Sequence, residues 1–233
     1  MNLTTRKSAD RGLANHGWLK SHHTFSFAEY HDPAHMGFRS LRVINEDHVA
    51  PAAGFPTHPH RDMEIFSYVV SGTIQHQDSL GNGRKLIPGQ IQLMSAGSGV
   101  THSEFNPSSS EPLHLLQIWI RPRKSGLTPS YTEWHPAPDS YHLSKVLVIS
   151  PDGRNSSATI QQDADVWRIK LQPGETTTHL LPPTRAAWLQ LISGDLTVNG
   201  HPLTPGDAIH TEDPGTLEIT ASSQAEALLF DLA

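Results

Sequence analysis

Two short stretches of this sequence carry side chains suited to holding a metal ion. In GFPTHPHRDME, His58 and His60 stand two positions apart, so on an extended backbone both project from one face, with Cβ atoms about 7 Å apart. Two imidazoles so placed can converge on one cation, since each has to come within only about 2.1 Å of it. A histidine pair alone is a short pattern that arises often by chance. The second stretch, SAGSGVTHSEFN, adds His102 and Glu104 in the same two-residue arrangement, after a glycine-rich turn that lets backbone pass close by. Two such pairs on facing strands would bring four ligands together. Three neutral imidazoles and one carboxylate leave a divalent ion with one net positive charge and, in an octahedral metal, two open positions for catalysis or ligand binding. Glu64 competes with Glu104, because it shares the parity of His58 and His60. Spacing leaves that choice open.

Composition points to the first half of the chain. Of 16 histidines, eleven precede residue 117 and five follow it. There is no cysteine, which removes disulfides, cysteine zinc fingers and iron–sulfur clusters, so any metal must sit on His, Asp or Glu. The formal net charge is −6, and the only dense basic cluster is Arg121, Arg123 and Lys124. No nucleic-acid partner is expected from that balance, because counterion release needs a basic face. The opening MNLTTRKSADRG has no apolar stretch of signal-peptide length, and no later run approaches the roughly 18 apolar residues of a membrane span. No membrane association and a cytoplasmic location are therefore expected.

The elements that must position the four ligands read as β throughout. TFSFAEY (24–30), SLRVI (40–44), EIFSYVV (64–70), GTIQHQ (72–77), QIQLMS (90–95) and LHLLQIWI (113–120) are short, rich in aromatic or β-branched residues, and bounded by turn formers. SKVLVIS, DVWRIKL, AAWLQLIS, DLTVNG, GTLEIT and EALLFDL continue the style, and 17 Gly with 18 Pro supply the turns. An internal repeat sets VVSGTIQHQ and IPGQIQLMSAG beside LISGDLTVNG and LTPGDAIHTED. Short strands repeated in this way predict two β-barrels in tandem, joined through RPRKSGLTPSYTEWHPAPDSYH. Met94, Trp119 and Phe66 are expected in the core, His76 and His114 as satisfied strand histidines, and His16, His22, His23, His31 and His35 as structural or solvent-facing, with a place at the mouth of the pocket as the alternative.

GFPTHPHRDMEIFSYVVSG resembles the first cupin motif, and PGQIQLMSAGSGVTHSEFN the second, with Gly54, His58, His60, Glu64, Gly72, Gly97, His102 and Asn106 at motif positions. Together with NHGWLKSHHTFSFAEYHDPAHMGFRSLRVINED, QDSLGNG and MSAGSGVTHSEFNPSS, these stretches are similar to the pirin family, in particular its bacterial branch described as quercetin 2,3-dioxygenases. The resemblance implies an all-β bicupin, two tandem double-stranded β-helix (jelly-roll) barrels. Residues 1–133 form the metal-binding cupin and 134–233 a degenerate one. It implies a single metal, usually iron, in the first barrel, and it selects Glu104 as the carboxylate ligand with His58, His60 and His102. Glu64 then becomes a candidate for orienting a histidine ring nitrogen. The second barrel retains His179 and His210, but Leu181 stands two after His179 and no His-x-Glu follows, so no metal is expected there.

The activity so implied is that of a metal-dependent dioxygenase, an oxidoreductase that opens the heterocycle of flavonols such as quercetin with O2 and releases carbon monoxide. Glu104 is the expected base for the flavonol proton. Fe(II) is the expected metal, although Ni, Co, Mn, Cu and Zn also suit such ligands. Two other readings fit the same residues. One is a metal- or redox-sensing regulatory protein that binds a protein partner without turnover. The other is a non-oxidative cupin enzyme, for example an isomerase.

Overall fold

In the strand Leu19–His23, buried and exposed side chains alternate, as expected of a strand with one covered face. The central strand Glu64–Ser71 shows no such alternation, because Glu64 through Val69 are all buried. The computed structural model describes residues 1–137, 140 and 142–233. They fall into two units, Gly12–Pro136 with Ala158–Gln162, and Met1–Arg11 with Ala137–Ser157 and Asp163–Ala233. Among the described residues no helix is long and apolar enough to cross a membrane.

The first unit packs two antiparallel sheets. The larger runs Ser130–Trp134, Ile91–Ser95, Glu64–Ser71, Leu113–Ile120, Leu41–Val49, Leu19–His23, Gly12–Asn15. The smaller runs Gly54–His60, Val100–Phe105, Ile74–Asp78, Gly83–Leu86. Neighbours far apart in sequence make this the jelly roll expected of a cupin. Ile74 and Leu86 of the smaller sheet meet Leu19, Val49, Val69, Leu113 and Leu115 of the larger in one apolar cluster, which seals one end of the barrel. The next positions along the same face are polar. Cross-strand pairing lines up His23, Asn45, Gln117, Ser67 and Gln92 in a row across the larger sheet. Such a row inside a barrel requires partners, and it is where the candidate site lies.

The second unit repeats the plan. One sheet carries Thr4–Arg6, Ala208–Thr211, Ala186–Ser193, Ala225–Leu232, Ala164–Leu171 and Lys145–Ser150 in that order, and the other Thr176–Leu181, Gly215–Ala221, Leu196–Val198 and His201–Leu203. Leu189, Leu191, Ile219, Leu229 and their neighbours fill the space between. The repeat seen in sequence falls on equivalent turns. Gly72 (φ 80°) and Gly194 (φ 73°) both follow the long central strand. A Cβ at either would come within 2.6 Å of Pro112 O or 2.1 Å of Gln224 O, so each needs glycine for both its φ and its close approach.

Three expectations differ from the structure. TFSFAEY is not a strand: Phe27 and Tyr30 exchange backbone hydrogen bonds of 3.0 Å around Ala28, which takes φ 48°. Its alternating aromatics mimic a strand although the backbone reverses. The segment expected to join the barrels holds an edge strand, Ser130–Trp134, whose Tyr131 and Trp134 pair with Met94 and Ile91. Residues 138, 139 and 141 of that connection lie outside the described residues. Thr4–Arg6, not singled out in the sequence, belongs to the second unit, where Asp207 accepts hydrogen bonds from Ser8 N (2.7 Å) and Lys7 Nζ (2.9 Å).

Candidate metal centre

His58 and His60 project from Gly54–His60, and His102 and Glu104 from Val100–Phe105. The two strands are hydrogen-bonded neighbours in one sheet, with His58 directly opposite His102 and a register shift between His102 and Glu104. The three imidazoles converge: His102 Nε2 lies 3.0 Å from both His60 Nε2 and His58 Nε2. His58 Nδ1 is 2.8 Å from the Pro56 carbonyl, which can only accept, so His58 keeps its lone pair on Nε2. Burial, reinforced by the neighbouring imidazoles, pushes His60 and His102 down to about 3. Both rings are neutral at neutral pH. A proton on His102 Nε2 could serve only one of the two 3.0 Å separations, whereas a cation among the nitrogens satisfies all three. Two nitrogens about 2.1 Å from one ion are about 3.0 Å apart at right angles and about 3.4 Å apart at a tetrahedral angle. Both separations from His102 are short enough for one ion to lie between the rings, and the donor set fits a divalent metal.

Glu104 is buried in the wall of the same cavity, outside the group of ligand nitrogens that lie within 4.8 Å of one another. Its Oε1 accepts from Ser67 Oγ (2.8 Å) and its Oε2 from Gln117 Nε2 (2.6 Å), which leaves lone pairs on both oxygens. Glu64 does not meet a histidine. It accepts from Ser95 Oγ (2.6 Å) and Gln161 N (3.1 Å), and burial raises its pKa. The parity that linked it to His60 is reset by the turn at Asp62 (φ 51°), which sends Glu64 into the other sheet. The ring nitrogen of a clustered histidine is held by His76 instead, whose Nε2 lies 3.2 Å from His102 Nδ1. His76 is fully buried and stacks on Tyr131 at 5.4 Å. In sequence the only sign of this is a histidine at an inward position of a strand.

A cavity of about 970 Å³ opens onto these groups, with His58, His60 and Glu104 in its wall. Trp119 and Phe27, edge to face at 5.4 Å, and Tyr30 give it an aromatic side. Trp119 thus serves both the cavity and the core, where it packs against Ile65, Met94 and Val100, and it meets His60 edge-on at 4.9 Å. His16 and His23 also line it. A second group of possible ligands, Glu46, His48 and His114, lies elsewhere on the larger sheet. There the two rings stack at 4.1 Å and 15°, and His114 Nε2 is 3.0 Å from Glu46 Oε1. The lone pairs of parallel imidazoles lie in the ring planes and do not converge. In the second unit His179 Nε2 is bonded to Asp231 Oδ2 at 2.9 Å, and Asp231 Oδ1 accepts from Arg185 Nε. This ion-pair network ties up the histidine that a second metal would need.

Comparison with known proteins bears on what such a centre belongs to. The model of the family described as Pirin matches residues 4–120, and that of the quercetinase C-terminal cupin domain matches 147–232. The chain belongs to the pirin family. A fellow member, the quercetin 2,3-dioxygenase of Escherichia coli (strain K12), is 48% identical over 227 residues, which cover 97% of each chain. A pirin-like protein of Caulobacter vibrioides is 42% identical over 99% of this chain and 100% of its own. Among solved structures, the bacterial pirin YhhW from Escherichia coli in complex with nickel(II) superposes with a TM-score of 0.94 at 47% identity, covering 99% of both chains. The pirin architecture of two cupin barrels is therefore that of this chain.

Proposed function

We propose that this chain is a metal-dependent dioxygenase that opens the heterocycle of a flavonol such as quercetin, incorporating one O2 and releasing one carbon as carbon monoxide. The observation that carries the reading is the convergence of His58, His60 and His102 Nε2 at the wall of a 970 Å³ cavity with an aromatic side. That volume is in the range of about 300–1,000 Å³ typical of small-molecule sites. The quercetin 2,3-dioxygenase relative at 48% identity supports the substrate class. His58, His60, His102 and Glu104 are the proposed ligands. Fe(II) is the proposed resident ion, one of the divalent metals that three imidazoles and a carboxylate suit.

When bound, the metal supplies Lewis acidity that favours the deprotonated enol oxygen of the flavonol. Glu104 receives that proton on Oε1. Ser67 Oγ makes this possible, since it lies 2.8 Å from Glu104 Oε1 and 3.2 Å from Gln117 Oε1. Its hydrogen can turn to Gln117 as Glu104 protonates, so that Ser67 accepts where it had donated. Gln117 Nε2 holds the other carboxylate oxygen throughout. Trp119, Phe27 and Tyr30 give the flavonol anion an aromatic wall to pack against.

Protein purified without added metal, analysed for its ions and then reconstituted with each divalent metal, is expected to release carbon monoxide from quercetin and O2 only in some metal forms. His58→Ala should lose both metal and turnover. A variant that lost the metal but kept full activity, or no carbon monoxide at saturating quercetin and O2 with every ion, would contradict the reading.

A further inference from the structure

The metal chemistry leaves part of the cavity wall unused. Ser21 and His23, on the strand Leu19–His23, and Asn45 and Asp47, on Leu41–Val49, also face the cavity. His23 Nδ1 and Asn45 Oδ1 satisfy each other at 2.8 Å. Asp47 differs: it is 3% exposed, and its Oδ1 has no hydrogen-bond partner. On one side its cross-strand neighbour is Ser21, whose hydroxyl bonds the carboxyl without satisfying Oδ1; on the other it is Leu115, followed by Val69. Both belong to the apolar cluster that seals the barrel, so the fold supplies no donor from that side. An unpaired buried carboxylate oxygen in a native cavity calls for a partner that arrives from outside.

We propose that Asp47 recognises a phenolic hydroxyl of the bound ligand through Oδ1, on a ring remote from the oxygens that face the histidine cluster. This rests on the reading of the cavity as a flavonol site. Asp47 and the histidines stand on opposite sheets, Asp47 on the larger and His58, His60 and His102 on the smaller. The choice of a hydroxyl follows from the charges around Asp47. Burial above all, with Glu104 across the cavity and Glu46 on its own strand, pushes its carboxyl up to about 7, against the pull of the Ser21 hydroxyl and of His114. Both protonation states are accessible near neutrality. A hydroxyl donates to the carboxylate and accepts from the acid, whereas a carbonyl or an ammonium group fits only one of them. The aromatic residues Trp119, Phe27 and Tyr30 accommodate the ring that carries it.

The test measures binding to the nickel-loaded protein under argon, where no turnover occurs. Quercetin is compared with 3-hydroxyflavone, which keeps the metal-facing edge and lacks every remote hydroxyl. Wild type is expected to prefer quercetin by about 10–100-fold, the worth of a hydrogen bond to a charged or otherwise unpaired buried group. Asp47→Leu should remove that preference by weakening quercetin alone, with nickel content and 3-hydroxyflavone affinity unchanged; a merely structural residue would move both ligands together. Asp47→Asn, which keeps an oxygen acceptor, should retain part of the preference. Asp47→Ala is read in the same way should the leucine variant not fold. A quercetin to 3-hydroxyflavone ratio that survives the leucine or alanine change overturns the proposal. Carbon monoxide release is followed separately in air. Release with an unchanged ratio sinks the role of Asp47 alone, whereas an Asp47-dependent preference without release sinks the proposed reaction alone.

Discussion

Acid should weaken metal binding far less than three ordinary histidines would allow. A metal ligand must be neutral, so each imidazole that titrates near its usual 6.5 competes with protons below that pH. Between pH 7.5 and 5.5 two such imidazoles would together weaken nickel binding about 100-fold, roughly tenfold each. Burial, with the neighbouring imidazoles, holds His60 and His102 at about 3, and these two should contribute nothing to the fall. Titration calorimetry of the folded apoprotein with nickel at the two pH values is therefore expected to show a loss of no more than about tenfold. A loss beyond 100-fold would refute the reasoning. The same depressed values set the acid stability of the apoprotein. The unfolded chain binds protons that the folded chain refuses, so this part of the stability is complete above pH 6.5 and is lost as pH falls toward 3. At two groups the slope is at most about 2.7 kcal/mol per pH unit, less because His60 is only partly buried. Urea unfolding at pH 6.5, 5.5 and 4.5 reads it, and His60→Ala should flatten the slope.

Three further outcomes follow from the side-chain geometry. His76→Leu removes the ring beside His102 Nδ1 and should weaken nickel binding by about 10–100-fold, whereas His76→Gln should retain more of it; chelator competition measures both. Glu104→Gln should lower the rate of carbon monoxide release by about 10²–10⁴-fold, the usual contribution of a positioned base, with quercetin still bound under argon. Asp231→Asn breaks the buried network with His179 and Arg185 and should cost about 3–5 kcal/mol in chemical unfolding without changing nickel stoichiometry.

Much of the site is legible in sequence because its signals are local. His58 with His60, and His102 with Glu104, each sit on one strand, where a two-residue spacing fixes a shared face. The Ser-Gly and Pro-Gly turns mark both barrels for the same reason. Glu64 shows where parity stops working. The turn at Asp62 lies between it and His60, and beyond a turn the phase of a strand begins anew. His76, Ser67, Gln117 and Asp47 are harder to see: Ser67 and Gln117 are polar residues inside largely apolar strands, His76 and Asp47 sit in strands with several other polar residues, and the surroundings of all four are set only through cross-strand register. Their trace in sequence is a polar residue at a core position, as in LHLLQIWI and EIFSYVVS. Thr4–Arg6 leaves no trace, because its place depends on Ala208–Thr211, some 200 residues away.

The central claim is that His58, His60, His102 and Glu104 hold one ion between them. Anomalous diffraction from crystals of the metal-loaded protein locates that ion directly. A single peak is expected about 2.0–2.2 Å from the three Nε2 atoms and from one Glu104 oxygen. A peak beside Glu46, His48 and His114, or one at the histidines with Glu104 bonded only to Ser67 and Gln117, would contradict it.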